Sequence, residues 1–139
     1  MRILLIGSSG QLASDLLPIL RSQHEVLPID VDEMRVEVAD EVEGAVDARR
    51  PDLLLNCSAF NRVDDAEDNV AGAFAVNTFG PRNLAVAARR HDIPLVHYST
   101  DYVFQDGTAP HPETDLPNPQ SVYGAVSYTH LTLPTICSV

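Results

Sequence analysis

The stretch Ile3-Leu4-Leu5-Ile6-Gly7-Ser8-Ser9-Gly10-Gln11-Leu12-Ala13 decides the fold class of this 139-residue chain. Four consecutive apolar residues ending at a glycine match a strand buried on both faces of a parallel sheet. Leu12, Leu16, Leu17 and Leu20 then recur at helical spacing through residues 11 to 22. Pro18 lies inside that helix and is expected to bend it, because it removes one backbone donor. A buried strand, a small-residue turn and a helix in direct succession make a phosphate cradle. Gly7 permits the tight turn, Gly10 lets the backbone approach a pyrophosphate, and Ala13 allows close packing of helix on strand. The helix start adds the positive end of its dipole. Ser9, Gln11 and Leu12 on the same turn join Gly7 and Gly10 as candidate cofactor contacts.

Working outward, Val26, Leu27 and Ile29 form a second apolar set that ends in Asp30, 20 positions beyond Gly10. A carboxylate at that place takes up the ribose hydroxyls of a dinucleotide. Val31, Asp32 and Glu33 follow, with no Arg to meet a 2′-phosphate, so NADH is expected over NADPH. A helix is predicted around Glu41–Arg49, a strand at Leu53-Leu54-Leu55, helices over 66–76 and 81–90, and a strand over Pro94–Tyr98. Alternating strands and helices at this spacing imply right-handed crossovers, hence one doubly wound α/β domain with a parallel, Rossmann-like sheet. Gln105–Val122, carrying Pro110, Pro112, Pro117 and Pro119, reads as a long functional loop.

Composition narrows the partners. There are 9 Lys+Arg against 20 Asp+Glu, a net charge of -11. Phosphate backbones and anionic membrane surfaces would be repelled, so neither nucleic acid nor membrane is expected as a partner. The apolar start of the chain is too short for a signal peptide, and no stretch approaches a membrane span. Cys57 and Cys137 read as free thiols of a reducing, cytoplasmic setting. No metal site is expected: Glu41, Glu43 and Asp47 share a helix with no His partner in the sequence nearby.

Asn56-Cys57-Ser58-Ala59 closes the third buried strand with small residues. They either let a cofactor pass over the strand end or pack beneath a helix. Asn77, polar on an apolar face, reads as a cofactor contact or as a satisfied buried amide. His97 in its apolar strand reads as a satisfied core residue. Thr100 and Tyr123 are the candidate catalytic pair, the hydroxyl holding a carbonyl oxygen while the phenol supplies a proton. At neutral pH a phenol needs a cation beside it, and helical geometry puts that cation four residues on. Position 127 is Ser127, and the chain contains no Lys.

Gly7 to Leu12, Asn56 through Glu67, Ala75-Val76-Asn77 with Gly80-Pro81, and Leu95 to Phe104 run in an order that resembles one family. So do Glu113, Asp115, Pro119 and Val122-Tyr123-Gly124. The chain resembles the dTDP-4-dehydrorhamnose reductase family of the extended short-chain dehydrogenase/reductases. The resemblance implies reduction of a 4-keto nucleotide sugar by NADH or NADPH, with Thr100 and Tyr123 catalytic. It puts Gly7, Ser9, Gly10, Gln11, Leu12, Asp30, Cys57, Ser58, Ala59, Asn77 and Tyr123 at the cofactor. Asp101, Tyr102 and Val103 would lie at the sugar. Phe60 and Asn61 depart mildly from the usual Tyr-Thr pair. A homodimer is compatible with the full-length protein; Mg²⁺ is conceivable but no residue here supports it.

After Ala125 the character changes. Residues 126–139 contain no charged residue, glycine or alanine, and Val126 to Thr135 resembles a translated transposase adapter. The expectation is a dinucleotide-binding domain over residues 1–125 followed by a non-native read-through tail over 126–139, not selected to pack and, by its β-branched, uncharged composition, a sticky edge. A chain without the Lys and without a substrate domain is expected to be inactive. Two other readings stay open. One is a non-catalytic dinucleotide-binding regulator, similar to the regulatory subunit of methionine adenosyltransferase. The other is an epimerase or dehydratase of the extended family.

Overall fold

A computed structural model of the chain describes residues 1–104, 110–112 and 114–129. Its frame is a four-stranded parallel sheet. Strand β1 (Arg2–Ile6) is followed by helix α1 (Gln11–Arg21), β2 (Glu25–Ile29), α2 (Ala39–Arg49) and β3 (Leu53–Asn56). Then come α3 (Val63–Asp68), α4 (Val70–Phe74), a π-helical turn (Ala75–Phe79), α5 (Gly80–His91), β4 (Leu95–His97), a 3-10 turn (Asp101–Val103) and α6 (Val122–Tyr128). The strand order is β2-β1-β3-β4, every pair parallel.

Continuous apolar runs form β1 and β3 because both sheet faces are covered. Leu4, Ile6, Ile29 and Leu54 pack under α2 and α5 through Val42, Val46, Leu84 and Ala87. Ile3, Leu5, Val26 and Leu55 face the other way, onto Ala13, Leu16, Leu17 and Leu20 of α1. Leu4 and Leu5 are fully buried, and each such side chain contributes about 1.5–3 kcal/mol of burial. β2 lies at an edge of the sheet, which is where its Pro28 is tolerated. α1 continues through Pro18 without interruption.

Three expectations are corrected. The predicted helix over 66–76 is divided at Asn69, whose side chain caps α4, and its second half is joined to the predicted helix over 81–90, since the π-helical turn carries α4 directly into α5. His91 of α5 meets Glu43 at 3.2 Å and Asp47 at 3.6 Å of α2, so those carboxylates do have a histidine partner. It is distant in sequence and was invisible in local spacing; Arg90 also pairs with Glu43, at 3.2 Å. Finally, packing does not stop at Ala125. α6 runs to Tyr128, and Val126, 4% exposed, packs with Ala66 and Ala73. The carbonyl of Val126 accepts from Thr78 Oγ1 at 2.8 Å. Ser121 caps this helix by accepting from the Gly124 N–H at 3.1 Å. Val122 and Val126 then fall one turn apart on its buried side, which is why the first four tail residues pack. Residues 130–139, like 105–109 and Glu113 of the predicted loop, lie outside the described residues.

Candidate dinucleotide and carbonyl site

In the order β2-β1-β3-β4 the order in which strands are added reverses at β1 and β3, and the crevice beyond their carboxyl ends is where doubly wound sheets bind ligands. A cleft of about 770 Å³ lies there. Gly7 stands in the left-handed region at φ 74°, and a Cβ on it would come within 2.8 Å of the Ser58 backbone. The glycine turn and the β3 end are therefore in van der Waals contact across the sheet. Gly10 caps α1 with extended backbone and no side-chain cap, and no acidic residue occupies the first turn. Such a helix start offers backbone N–H groups to an anion.

Asp30 faces the same turn. Its carboxylate accepts from the Ser9 N–H at 2.6 Å and the Val31 N–H at 2.8 Å. Partial burial pushes its pKa up, but hydrogen bonds from Ser9, Val31 and Ser8 outweigh that and hold it below the usual carboxylate value. Among the described residues, Asp15, Asp30 and Glu37 line the cleft against a single lining cation, Arg62. Arg62 lies 5.2 Å from the Phe60 ring centroid and 3.2 Å from Asp65. Burial pushes the Cys57 thiol up, which keeps it in the un-ionised form.

At the far end of the cleft a small cavity of about 30 Å³ is lined by Ala59, Asn77, His97, Thr100, Tyr123 and Ser127, among others. Tyr123 lines both spaces. Thr100 opens the 3-10 turn; its hydroxyl accepts from Tyr102 N–H at 3.2 Å and donates to Asp101 Oδ1 at 3.2 Å. Tyr102 stands edge-on to Tyr123, with ring centroids 5.4 Å apart. One helical turn beyond Tyr123, Ser127 is buried and its hydroxyl accepts from Asn77 Nδ2 at 3.4 Å.

The sequence model of the family described as "RmlD substrate binding domain" matches residues 1–129. This chain belongs to the RmlD family. A dTDP-4-dehydrorhamnose reductase of Aggregatibacter actinomycetemcomitans is 39% identical over 127 residues, 88% of this chain and 43% of that protein. The crystal structure of a dTDP-4-dehydrorhamnose reductase from Clostridium acetobutylicum superposes with TM-score 0.89 at 36% identity, covering 95% of this chain and 48% of that one. The dTDP-4-dehydrorhamnose reductase of Bacillus anthracis in complex with NADP gives TM-score 0.88 at 34% identity, over 94% and 47%. This RmlD-family chain thus spans less than half the length of each of these relatives.

Of the residues expected at the cofactor, Gly7, Ser9, Gly10, Gln11, Leu12, Asp30, Cys57, Ser58, Ala59 and Tyr123 all line the large cleft of the RmlD-family fold. Asn77 lines only the small cavity and is 6% exposed. Its Oδ1 accepts from the Phe60 N–H at 2.8 Å and its Nδ2 donates to the Phe60 carbonyl at 3.0 Å, so it is a satisfied buried amide holding the β3–α3 connection. The π-helical turn that carries it is a local departure often found at functional sites. Val103, expected at the substrate, is corrected. It is 2% exposed, and its carbonyl accepts from Asn118 N–H at 2.9 Å, so its side chain has no surface to offer a ligand. Asp101 and Tyr102 are exposed beside Thr100. His97 is also corrected: it is half-buried at the small cavity rather than in the core. Met34, Val36, Phe60, Asn61, Arg62 and Ser99 line the site unforeseen. Only their positions after strand ends could have signalled them.

Proposed function

We propose that this chain binds a nicotinamide dinucleotide in the cleft over Gly7–Gly10 and belongs to a reductase of a 4-keto dTDP-sugar in dTDP-rhamnose biosynthesis. One observation carries the reading. The uncapped start of α1, the left-handed Gly7 and the Asp30 carboxylate share one cleft, whose other end reaches Tyr123 beside the Thr100 cavity. The residues fit such a group. The α1 start would hold the pyrophosphate, Asp30 the adenosine ribose, and Cys57–Ala59 with Tyr123 the nicotinamide end. When bound, the nicotinamide supplies hydride. Thr100 would hold the carbonyl oxygen of the sugar, and Tyr123 would donate the proton that the oxygen acquires. The relative solved with NADP supports a coenzyme of this class.

Three carboxylates against one Arg along the cleft favour NADH, because a 2′-phosphate would add two negative charges to an acidic wall. The chain as it stands is proposed to be inactive, since no cation lies one turn from Tyr123. Ser127 there also favours a second reading, a dinucleotide-binding regulator that needs no proton donor. Calorimetric titration with NADH and NADPH tests the first step; no affinity for either in a folded sample would reject it. Turnover of NADH with a 4-keto dTDP-sugar, at the rate of a full-length homologue, would reject the proposed inactivity.

A further inference from the structure

Asn56 and His97 are joined beneath the cleft by a hydrogen-bond chain whose direction the backbone dictates. The Ser58 N–H, which can only donate, lies 3.0 Å from Asn56 Oδ1, and Ser58 Oγ donates to the same oxygen at 2.6 Å. Asn56 Oδ1 is therefore the atom facing Ser58, and Asn56 Nδ2 is the atom facing His97. Nδ2 is also only a donor, and it lies 3.0 Å from His97 Nδ1. His97 Nδ1 must accept, which requires the ring to be neutral with its proton on Nε2. Asn56 is 1% exposed, so an amide without this partner would be a buried unsatisfied donor.

Ser58 is the residue whose backbone touches Gly7. The chain of bonds thus runs from His97, at the Thr100 and Tyr123 cavity, to the floor under the glycine turn. We propose that Asn56 and His97 are positioning residues: neutral His97, accepting at Nδ1, orients the Asn56 amide, which fixes Ser58 so that the turn at the β3 end holds the dinucleotide cleft open. The inference rests on the dinucleotide reading for its ligand, but not for its hydrogen-bond geometry.

Two measurements on the whole chain separate them. Long-range proton–nitrogen NMR of the imidazole at neutral pH should show His97 Nδ1 bare and Nε2 protonated; a proton on Nδ1 overturns the proposal whatever the chain binds. In the Asn56→Asp variant, a carboxylate oxygen replaces the donor, and the same spectrum should show a proton arriving on Nδ1. For ligand, His97→Phe should weaken NADH binding about five- to tenfold, because an Asn56 amide that turns away to find another partner no longer fixes Ser58 beneath the cleft. His97→Gln, whose carbonyl can accept, should recover most of that loss. NADH affinity of His97→Phe within about twofold of the parent overturns the proposal. If the variants fail to fold, the parent's tautomer and slow exchange of the Ser58 amide still decide, and fast exchange there counts against it. A parent chain that binds no coenzyme defeats the dinucleotide reading, while the NMR result continues to judge the positioning.

Discussion

Gly124 rests directly on Tyr102. A methyl group at 124 would overlap the Tyr102 carbonyl oxygen and stand 3.0 Å from both its carbonyl carbon and Pro119 Cβ. This contact seats α6 on the 3-10 turn and brings the Tyr123 ring edge-on to Tyr102. The neighbours are backbone and proline, which cannot swing away. Gly124→Ala should therefore cost about 1–3 kcal/mol, the range for overpacking. Chemical denaturation followed by circular dichroism measures it, and an unchanged midpoint would show that α6 is not pressed against the turn.

Asn77 reaches 17 residues back to hold both backbone groups of Phe60. Asn77→Leu fills the same space without those bonds and leaves an N–H and a C=O unpartnered. Each such group costs about 1–3 kcal/mol when buried; Phe60 is half-buried, so a loss of roughly 1–3 kcal/mol in total is expected. Equilibrium urea unfolding gives the number. Since Phe60 lines the cleft, coenzyme affinity should fall with it.

Asp30 links stability to acid. Hydrogen bonds from Ser9 and Val31 hold its folded pKa below the ordinary 3.8. A depressed carboxyl stabilises the fold above its unfolded value, and that contribution disappears as pH falls through the folded one. The parent should lose stability below about pH 3.8 more steeply than Asp30→Asn, which has no carboxyl to protonate there. Thermal midpoints from pH 5 to about pH 2.5 test it, and parallel curves would remove Asp30 from the acid response. The same variant should shift the NADPH-to-NADH affinity ratio toward NADPH, because one carboxylate leaves the wall.

Val126 tests where packing ends. It is 4% exposed among Ala66 and Ala73, with Phe60, Val122 and Tyr123 around them. Val126→Ala should cost roughly 1–3 kcal/mol, as core truncations do, and Val126→Asp more, by burying an unpaired charge. Unchanged melting in both variants would mean that the described end of α6 adds nothing to the fold.

Local pattern alone determined the front of this molecule. An apolar run that ends in glycine must be covered on both faces, and leucines at helical spacing turn inward, as Leu16, Leu17 and Leu20 do while Leu12 stands exposed at the cleft. Hence β1, the turn and α1 could be placed from residues 3 to 20, and Asp30 could be put at the end of β2. Residues that line the cleft from those strand ends, such as Gly10 and Ser58, were legible for the same reason. Their positions follow from the chain order.

Only the tertiary structure decided the rest, because the decisive partners are remote in sequence. Asn56 meets His97 across 41 residues, Asn77 meets Ser127 across 50, and His91 meets Glu43 across 48. Periodicity encodes which side of an element is buried, not which element arrives to bury it. That choice is made by crossover geometry and, for Asn77, by a π-helical turn that no residue pattern announced. It explains why His97 looked like core and stands at the cavity, while Val103, which the resemblance put at the sugar, is core.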